Sequence, residues 1–181
     1  MLKVKAGDLD KMGLLFERYH RALHAFLYHM TGHADASEDM VQTVFYRMLK
    51  YRHTFTADGE FRTWMYHLAR NVLNDSFKQN KRHSQAQDLN DWANQLSGGA
   101  LADETLIKKQ ELDLLHSAIG KLSPEHREVL ILSRFQELKY EEIARILDTT
   151  EGAIKVRIHR AMGELRTLFF KIENGGPVYE L

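Results

Sequence analysis

Apolar residues recur at intervals of three and four along almost the whole chain, which is the spacing of amphipathic α-helices. Strand-like alternation is almost absent and the chain has only two prolines, so the pattern predicts an all-α fold. In the first half, helices are predicted over about residues 8–30, 35–52 and 60–77. Gly32 should end the first helix, and Asp35 should begin the second, where Glu38 completes a pattern resembling a capping box.

The same spacing predicts which side chains of these helices point inward. The stripe of the first helix consists of Leu14, Leu15, Tyr19, Leu23, Phe26 and Leu27, and that of the third of Phe61, Trp64, Met65, Leu68, Val72 and Leu73. We expect these side chains to form one core.

A polar segment separates the two halves of the chain. Gln, Asn, Asp, Ser and Gly predominate from residue 78 to about residue 103, which is typical of a flexible linker. The chain is therefore divided into a helical domain at 1–83, an acidic polar linker at 84–104, a second helical domain at 105–172 and a frayed tail at 173–181. In the second domain, Ser123 and Pro124 are predicted at the N-cap and first turn of a helix.

Residues 140–166, YEEIARILDTTEGAIKVRIHRAMGELR, have the pattern of two helices joined by a tight turn. The inward stripes are Ile143, Ala144 and Leu147 in the first helix and Ile154, Ile158, Ala161 and Leu165 in the second. The opposite face of the second helix is basic. Asp148 stands where the chain must reverse, and Asp tolerates the left-handed conformation better than most residues. The pattern indicates either a helix-turn-helix that reads DNA or an ordinary helical hairpin.

Two further patterns lie in the first domain. Asp39, Gln42 and Phe45 are three residues apart, so they share one helix face, either as a docking surface or with Phe45 simply in the core. In residues 61–82, aromatic residues interleave with Lys and Arg. Aromatic rings stack on unpaired bases while cations follow the phosphates, so this segment suits a single strand, although some rings, that of Trp64 included, are expected in the core.

Charge is segregated along a chain whose formal net charge is zero. Residues 1–83 have thirteen Lys and Arg against nine Asp and Glu, whereas residues 84–104 have four acidic residues and no Lys or Arg. A nucleic-acid surface must therefore be local. The chain has no cysteine, no apolar run of membrane-spanning length and no signal-peptide core, which favours a soluble protein of the cytoplasm.

The order of these segments resembles the extracytoplasmic-function group of bacterial sigma factors. The segments that carry the resemblance are DMVQTVF, FRTWMYHLARN, the polar linker, LSPEHREVLIL, YEEIARIL and IKVRIHRAMGELR. The resemblance implies a two-domain, all-helical initiation factor that binds RNA polymerase core, directs it to promoter DNA and helps to open the duplex. It implies no enzymatic activity, catalytic residue, cofactor or metal, and it implies an anti-sigma factor as a further partner.

The resemblance also assigns residues by position. Contact with core polymerase is implied for Asp39, Gln42 and Phe45. The resemblance assigns to Asn71 the capture of a flipped base and to residues 73–76 a specificity loop. Together with the aromatic and basic pattern of residues 61–82, it predicts binding of the downstream promoter element by Phe61, Trp64, Arg70, Asn71, Asn74, Asp75, Lys78, Lys81 and Arg82. Reading of the upstream element is implied for Lys155, Val156, Arg157, His159 and Arg160. The linker acids Asp88, Asp91, Asp103 and Glu104 either enter a cationic path of the polymerase or simply belong to a solvated tether.

Two departures from the family pattern affect the second domain. Lys139 stands where many members have a Ser or Thr that caps the next helix, so a side-chain cap is missing there. Val156 stands where many members have Ser, which removes a polar contact but allows contact with a thymine methyl group.

Two other classes of protein remain open from the sequence. A stand-alone helix-turn-helix regulator would usually dimerise on a palindromic site, but it leaves residues 39–45 and 61–82 unexplained. A metal enzyme could use His20 and His24, which are four residues apart, with Glu17 one turn earlier. That pattern is weak because the chain has neither an HExxH motif nor a cysteine.

Overall fold

The computed structural model describes residues 1–56, 59–84 and 103–174, and it describes only the backbone of residues 80–84 and 103–111. The helices, in chain order, are α1 (Leu2–Lys5), α2 (Lys11–Thr31), α3 (Ala34–Lys50), a 3-10 turn (Arg52–Thr54), α4 (Phe61–Ser84), α5 (Asp103–Gly120), α6 (Pro124–Leu130), a π-helical turn (Ile131–Phe135), α7 (Tyr140–Ile146) and α8 (Glu151–Glu173). The described ranges contain helices and no strands, so the all-α prediction is confirmed. Residues 85–102 of the predicted linker, with Asp88 and Asp91, lie outside the described residues, and the side chains of Asp103 and Glu104 lie outside the described side chains. At its two ends the linker prediction is wrong, because α4 continues through Ser84 and α5 begins at Asp103.

Helices α2, α3 and α4 pack together as the N-terminal domain. Most of the predicted stripe is buried, including Leu23, Phe26 and Leu27, none of which is exposed at all. The prediction for Leu14 is wrong, because 59% of this side chain is exposed. Met12 and Leu15 pack against the core instead, and Leu14 lies one residue, or about 100°, away from that stripe.

The turn between α2 and α3 agrees with its prediction at the end of α2 but not at the start of α3. Gly32 ends α2 with a φ of 76°, as predicted. However, α3 begins at Ala34 after an N-cap at His33 without a side-chain cap, so the capping box predicted at Asp35 is wrong. The buried Ser37 hydroxyl instead donates to the His33 carbonyl at 2.6 Å, and Thr31 Oγ1 accepts the His33 N–H at 3.2 Å. Hydroxyls from both sides thus hold the turn.

Helix α4 continues through residues 73–76, so the specificity loop predicted there is wrong. Val72 and Leu73 are buried, and they extend the inward stripe of Met65 and Leu68 by another turn. No glycine or proline interrupts the segment, so nothing opposes the helix.

Helices α5 to α8 form the C-terminal domain, in which α7 and α8 are the helix-turn-helix. Asp148 has a φ of 51°, which confirms its predicted left-handed conformation. The Thr149 N–H donates to the Ala144 carbonyl at 2.9 Å across this turn, and the Thr150 hydroxyl accepts the Ala153 N–H at 3.2 Å. These bonds satisfy backbone groups at the end of α7 and the start of α8.

The start of α7 has a cap that the sequence did not predict. Lys139 is the N-cap residue, as expected from its position, and its backbone N–H donates to Glu142 Oε2 at 2.7 Å. Glu142 thus supplies one half of a capping box, the bond from the side chain at N3 back to the N-cap N–H.

The two domains pack against each other, with α4 against α7, and α2 against α5, α6 and the π-helical turn. Arg127 is buried at this contact, where it donates to the carbonyls of Ile119 at 3.1 Å and of Met30 at 3.2 Å. Burial lowers the pKa of Arg127 to about 10, so the guanidinium stays charged at neutral pH. Among the described helices, none combines the length and apolar character that crossing a bilayer requires.

Candidate functional site

The face predicted for docking on α3 is only partly available to a partner. Asp39 and Gln42 are exposed, and they lie on one side of the helix. Phe45 is only 6% exposed, and its ring packs 4.9 Å from that of Phe16 on α2. Phe45 therefore supports the face from below, whereas Asp39 and Gln42 can touch a partner directly.

A groove of about 370 Å³ runs beside this face between α2 and α3. Its walls are Phe16, His20, Arg21, His24, Glu38, Val41 and Gln42. The two histidines considered as metal ligands lie here. The His20 ring stacks on Phe16 and its Nδ1 lies 2.8 Å from the Phe16 carbonyl oxygen, whereas the His24 ring stacks on Tyr28. Within the described residues, no three His, Asp or Glu side chains converge on a metal position.

Asn71 lines a cleft of about 470 Å³ on the N-terminal domain. The other walls are Arg47, Tyr51, Thr54, Trp64, His67 and Leu68. Asn71 Nδ2 lies 3.4 Å from His67 Nδ1, one helical turn away on the same face of α4. Aromatic, amide and guanidinium groups line this cleft, and its volume is large enough for a planar ring.

The aromatic residues Phe61 and Trp64 are half-buried, and they cluster with Phe55. Trp64 Nε1 donates to Thr54 Oγ1 at 3.3 Å, which fixes the indole at the cleft wall. These rings therefore belong partly to the core, as expected for Trp64, and only an edge remains for a ligand.

Beyond the cleft, Asn74 and Lys78 are exposed on α4. Asp75 is held in an ion pair with Arg47 at 2.8 Å, which positions this cation of the cleft wall. The side chains of Lys81 and Arg82 lie outside the described side chains.

Arg70 is engaged by the C-terminal domain. Its Nε lies 3.0 Å from Glu128 Oε1, and both side chains are partly buried. Burial raises the pKa of Glu128, while Arg70 and, more weakly, Arg157 of α8 oppose that rise. One carboxylate thus lies between predicted DNA-binding cations of both domains.

Helix α8 presents most of its predicted reading residues to solvent. Lys155, Val156, His159 and Arg160 are exposed, whereas Arg157 is half-buried on the side of Glu128. Ile154, Ile158 and Ala161 anchor the opposite face in the core. The helix therefore has the geometry of a recognition helix, which needs a free polar face and a fixed inner face.

Several residues at these sites were not predicted from sequence, among them Arg47, Tyr51 and His67 in the cleft. Arg47 and Tyr51 are four residues apart, and so are His67 and Asn71, so helical spacing could have grouped each pair. No local signal indicates that the two pairs meet, since they come from different parts of the N-terminal domain.

Both domains match known protein families. Residues 15–83 match the Sigma-70 region 2 family, and residues 112–165 match the Sigma-70 region 4 family. The ECF RNA polymerase sigma factor SigX of Bacillus subtilis is 30% identical over 84% of this chain and 80% of its own. The ECF RNA polymerase sigma-E factor of Escherichia coli is 30% identical over 88% of this chain and 86% of its own.

Two solved structures have the same fold. The sigma factor RpoE of Bartonella quintana, in complex with the anti-sigma factor NepR, gives a TM-score of 0.71 at 23% identity and covers 86% of this chain and 94% of its own. CnrH, in complex with the cytosolic domain of CnrY, gives 0.68 at 21% identity and covers 92% of both chains.

The fold and the two domain matches define a sigma factor of the Sigma-70 type. Within that class, the chain belongs to the extracytoplasmic-function group. It binds RNA polymerase core and directs promoter-specific initiation of transcription, and it is not a stand-alone helix-turn-helix regulator. The family is one of initiation factors without catalytic activity.

Proposed function

We propose that the two domains divide promoter recognition between a single strand and a duplex. In this proposal the domain at 1–83 binds core polymerase through Asp39 and Gln42, with Phe45 as their support. The same domain binds the melted downstream element along α4. The domain at 105–172 reads the upstream duplex through α8.

The observation that best supports this division is the difference between the two surfaces. Asn71 lies in a cleft whose volume, about 470 Å³, can admit a base but not a duplex. Extruding a base from the stack costs a few kcal/mol of free energy, and hydrogen bonds from an amide to the edge of the base recover part of that cost. By contrast, α8 offers an exposed convex face, which suits the major groove.

For the α4 surface, we propose that Asn74 and Lys78 contact the strand directly and that Phe61 and Trp64 border the base cleft. Asp75 acts through Arg47, since a carboxylate repels phosphate and its ion pair holds the guanidinium at the cleft. Arg70, Lys81 and Arg82 supply further phosphate contacts, Arg70 only after its bond to Glu128 is broken.

Regulation by an anti-sigma factor is proposed from the structural neighbours. The RpoE structure is a complex with the anti-sigma factor NepR. We propose that this chain also has such a partner and that both act in the cytoplasm without membrane insertion. Binding of a partner at the groove beside Gln42 would compete with core polymerase.

Transcription in vitro tests the proposal as a whole. Core polymerase is incubated with and without the protein on a library of genomic fragments, and start sites are sequenced. We expect new start sites that share two sequence elements at fixed spacing and that disappear without the protein. Start sites that are unchanged by the protein would contradict the proposal. A variant that carries Lys171→Ala, at an exposed position near the end of α8, serves as a matched surface control.

A further inference from the structure

Helix α8 carries an apolar side chain near the middle of its outward face. Val156 is the sixth residue of α8, and it is 50% exposed. It lies midway between the buried Ile154 and Ile158, about 200° around the helix from each, so it points away from the core. A single exposed valine on an ordinary surface needs no explanation. Val156, however, lies on the face that is proposed to enter the major groove, beside Lys155 and Arg160.

The residues that share this side of α8 leave Val156 accessible. Gly152 and Gly163 lie on the same side, one turn before it and two turns after it. A Cβ atom at either glycine would meet no packed neighbour within 4 Å among the described residues, so packing within the protein does not explain them. Lys155 Nζ lies 2.8 Å from Glu151 Oε1, so this side chain extends toward the start of the helix. The bare backbone at the two glycines lets a partner surface approach Val156 closely.

The major groove offers one apolar group to such a side chain. A helix-turn-helix presents the first residues of its second helix to base edges in that groove. Those edges are hydrogen-bond donors and acceptors, with one exception, because thymine carries a methyl group at C5. A valine against a donor or acceptor would displace water without replacing its hydrogen bonds, which costs free energy. Against the thymine methyl group, the same side chain removes two apolar surfaces from water.

We propose that Val156 is a specificity-determining residue, which contacts the C5-methyl group of a thymine in the upstream promoter duplex. This inference rests on the proposed function, because it names one base within the duplex that α8 is proposed to read. The contact selects thymine over cytosine, which has a hydrogen atom at C5, and it needs no hydrogen bond. The exposed Lys155, His159 and Arg160 remain available for polar contacts with other bases and with phosphates.

Replacement of thymine by uracil isolates this contact. Uracil pairs with adenine and keeps the O4 acceptor of thymine, but it lacks the methyl group. Burial of one methyl group changes the affinity about fourfold. A difference between thymine and uracil that depends on the side chain at position 156 therefore measures the contact between the two apolar groups.

The test uses holoenzyme formed from core polymerase and the full-length protein, with a promoter fragment taken from the start-site experiment. Thymines are replaced sparsely and at random by uracil, and bound fragments are separated from free ones. Cleavage at uracil in each fraction shows the positions at which a missing methyl group weakens binding. Fragments with uracil at each such position are then titrated separately to give dissociation constants.

We expect uracil at one position of the upstream element to weaken binding of the parent holoenzyme about fourfold. With Val156→Ser, which removes both methyl groups of the side chain, thymine and uracil at that position should bind equally. Val156→Ile keeps an apolar side chain and should keep the difference. Serine and valine have similar helix propensities and the position is exposed, so Val156→Ser should fold as the parent does.

Met162→Ser is the matched control. It makes the same kind of change at another exposed apolar residue of α8, about 9 Å further along the helix. The difference between thymine and uracil should remain about fourfold in this variant.

Two results would overturn the inference: an upstream element in which no uracil weakens binding, or a uracil effect that Val156→Ser leaves intact. Neither result affects the proposed function, provided that the holoenzyme still binds the upstream element of fragments that contain only thymine. If deletion of the upstream element leaves binding unchanged, the proposed reading of that duplex by α8 is refuted, and the inference with it.

Discussion

At the scale of single residues, a side chain binds a partner directly only where the partner can reach it. On α3 this condition holds for Asp39 and Gln42 but not for Phe45, which is 6% exposed. We expect the double variant Asp39→Ala, Gln42→Ala to bind core polymerase about tenfold more weakly, a loss of about 1.4 kcal/mol. Equilibrium binding with labelled core measures the change.

Asp35→Ala is the control for that experiment, since Asp35 is exposed on the same helix and has the same charge. Core affinity equal to that of the control would refute the assignment. Phe45→Ala is unsuitable as a test, because truncating a buried aromatic ring typically costs about 3 to 5 kcal/mol of stability.

Asn71 is expected to act only after the duplex has opened. Asn71→Ala should reduce open-complex formation and weaken base preference at one downstream position, while binding to the upstream duplex stays unchanged. Permanganate footprinting of the melted region measures the first effect. Gln79→Ala replaces an exposed amide outside the cleft and should behave as the parent protein. Normal opening with unchanged base preference in Asn71→Ala would show that the amide has another role.

The residues illustrate what sequence reasoning can and cannot predict. Helical spacing placed Asp39, Gln42 and Phe45 on one side of α3, but spacing alone does not give depth, which depends on the position of Phe16 on α2. Similarly, the basic character of Arg70 was visible, whereas its pairing with Glu128 was not, because the two residues are 58 positions apart.

At the scale of elements, the recognition helix α8 can be tested separately from the surface of α4 that is proposed to bind single-stranded DNA. Lys155→Ala and Arg160→Ala should each weaken binding to upstream duplex by about 1 to 3 kcal/mol where the side chain reads a base edge. Where a side chain instead holds a phosphate, the salt dependence should fall by about one unit of slope. Strand opening at saturating protein should survive in both variants.

Lys155 forms an ion pair with Glu151 at 2.8 Å, but both side chains are exposed, so breaking it costs little. Lys171→Ala is the control, since eleven residues of helix place it about 16 Å beyond Arg160. Equal duplex affinity for all three variants at two salt concentrations would rule out the proposed reading face.

The turn of the helix-turn-helix depends on a left-handed residue. Asp148 has a φ of 51°, where a β-branched side chain is strained. Asp148→Val should therefore lower the free energy of unfolding by about 1 to 2 kcal/mol, whereas Asp148→Gly should retain or increase it. Urea denaturation measures both. Equal midpoints for the Val and Gly variants would show that the turn relaxes without strain.

The elements were largely predictable because most of them follow local rules. The positions of Gly32 and Asp148 followed from their tolerance of positive φ, and both predictions are confirmed. The predicted capping box at Asp35 is wrong, because the buried hydroxyls of Thr31 and Ser37 hold that turn through contacts that the local pattern does not show. The predicted break at residues 73–76 came from the resemblance, and the uninterrupted apolar stripe of α4 overrides it.

At the scale of the whole molecule, the packing of the two domains was the least predictable feature, since each domain pattern is complete without the other. The contact buries titratable groups with opposite effects. The ring of His29 on α2 lies 5.4 Å from that of His116 on α5 and 4.6 Å from that of Phe135. Elsewhere on the contact, Glu60 of the N-terminal domain faces Glu142 of α7, and burial together with Glu60 raises the pKa of Glu142.

Protonation of the histidine pair should weaken the packing of the two domains as the pH falls. Burial and, secondarily, the charge of His116 lower the pKa of His29 from 6.5 to about 4. The form in which the two domains pack together therefore favours neutral His29. In a form with separated domains, or in the unfolded chain, the imidazole takes up a proton near pH 6.5. The free-energy advantage of the packed form therefore declines between pH 6.5 and pH 4. Glu142 and Glu128 have the opposite sign, because burial raises the pKa of each carboxyl group in the packed form. Parent and variant must therefore be compared at each pH.

The comparison uses His29→Phe, which keeps an aromatic ring at the contact but cannot take up a proton. We expect the radius of gyration of the parent protein to rise between pH 7 and pH 5, as measured by small-angle X-ray scattering, and that of His29→Phe to rise less. His53→Phe changes an exposed histidine in the 3-10 turn and should follow the parent protein. Coincident pH curves for the parent and His29→Phe would mean that the histidine pair does not control domain packing.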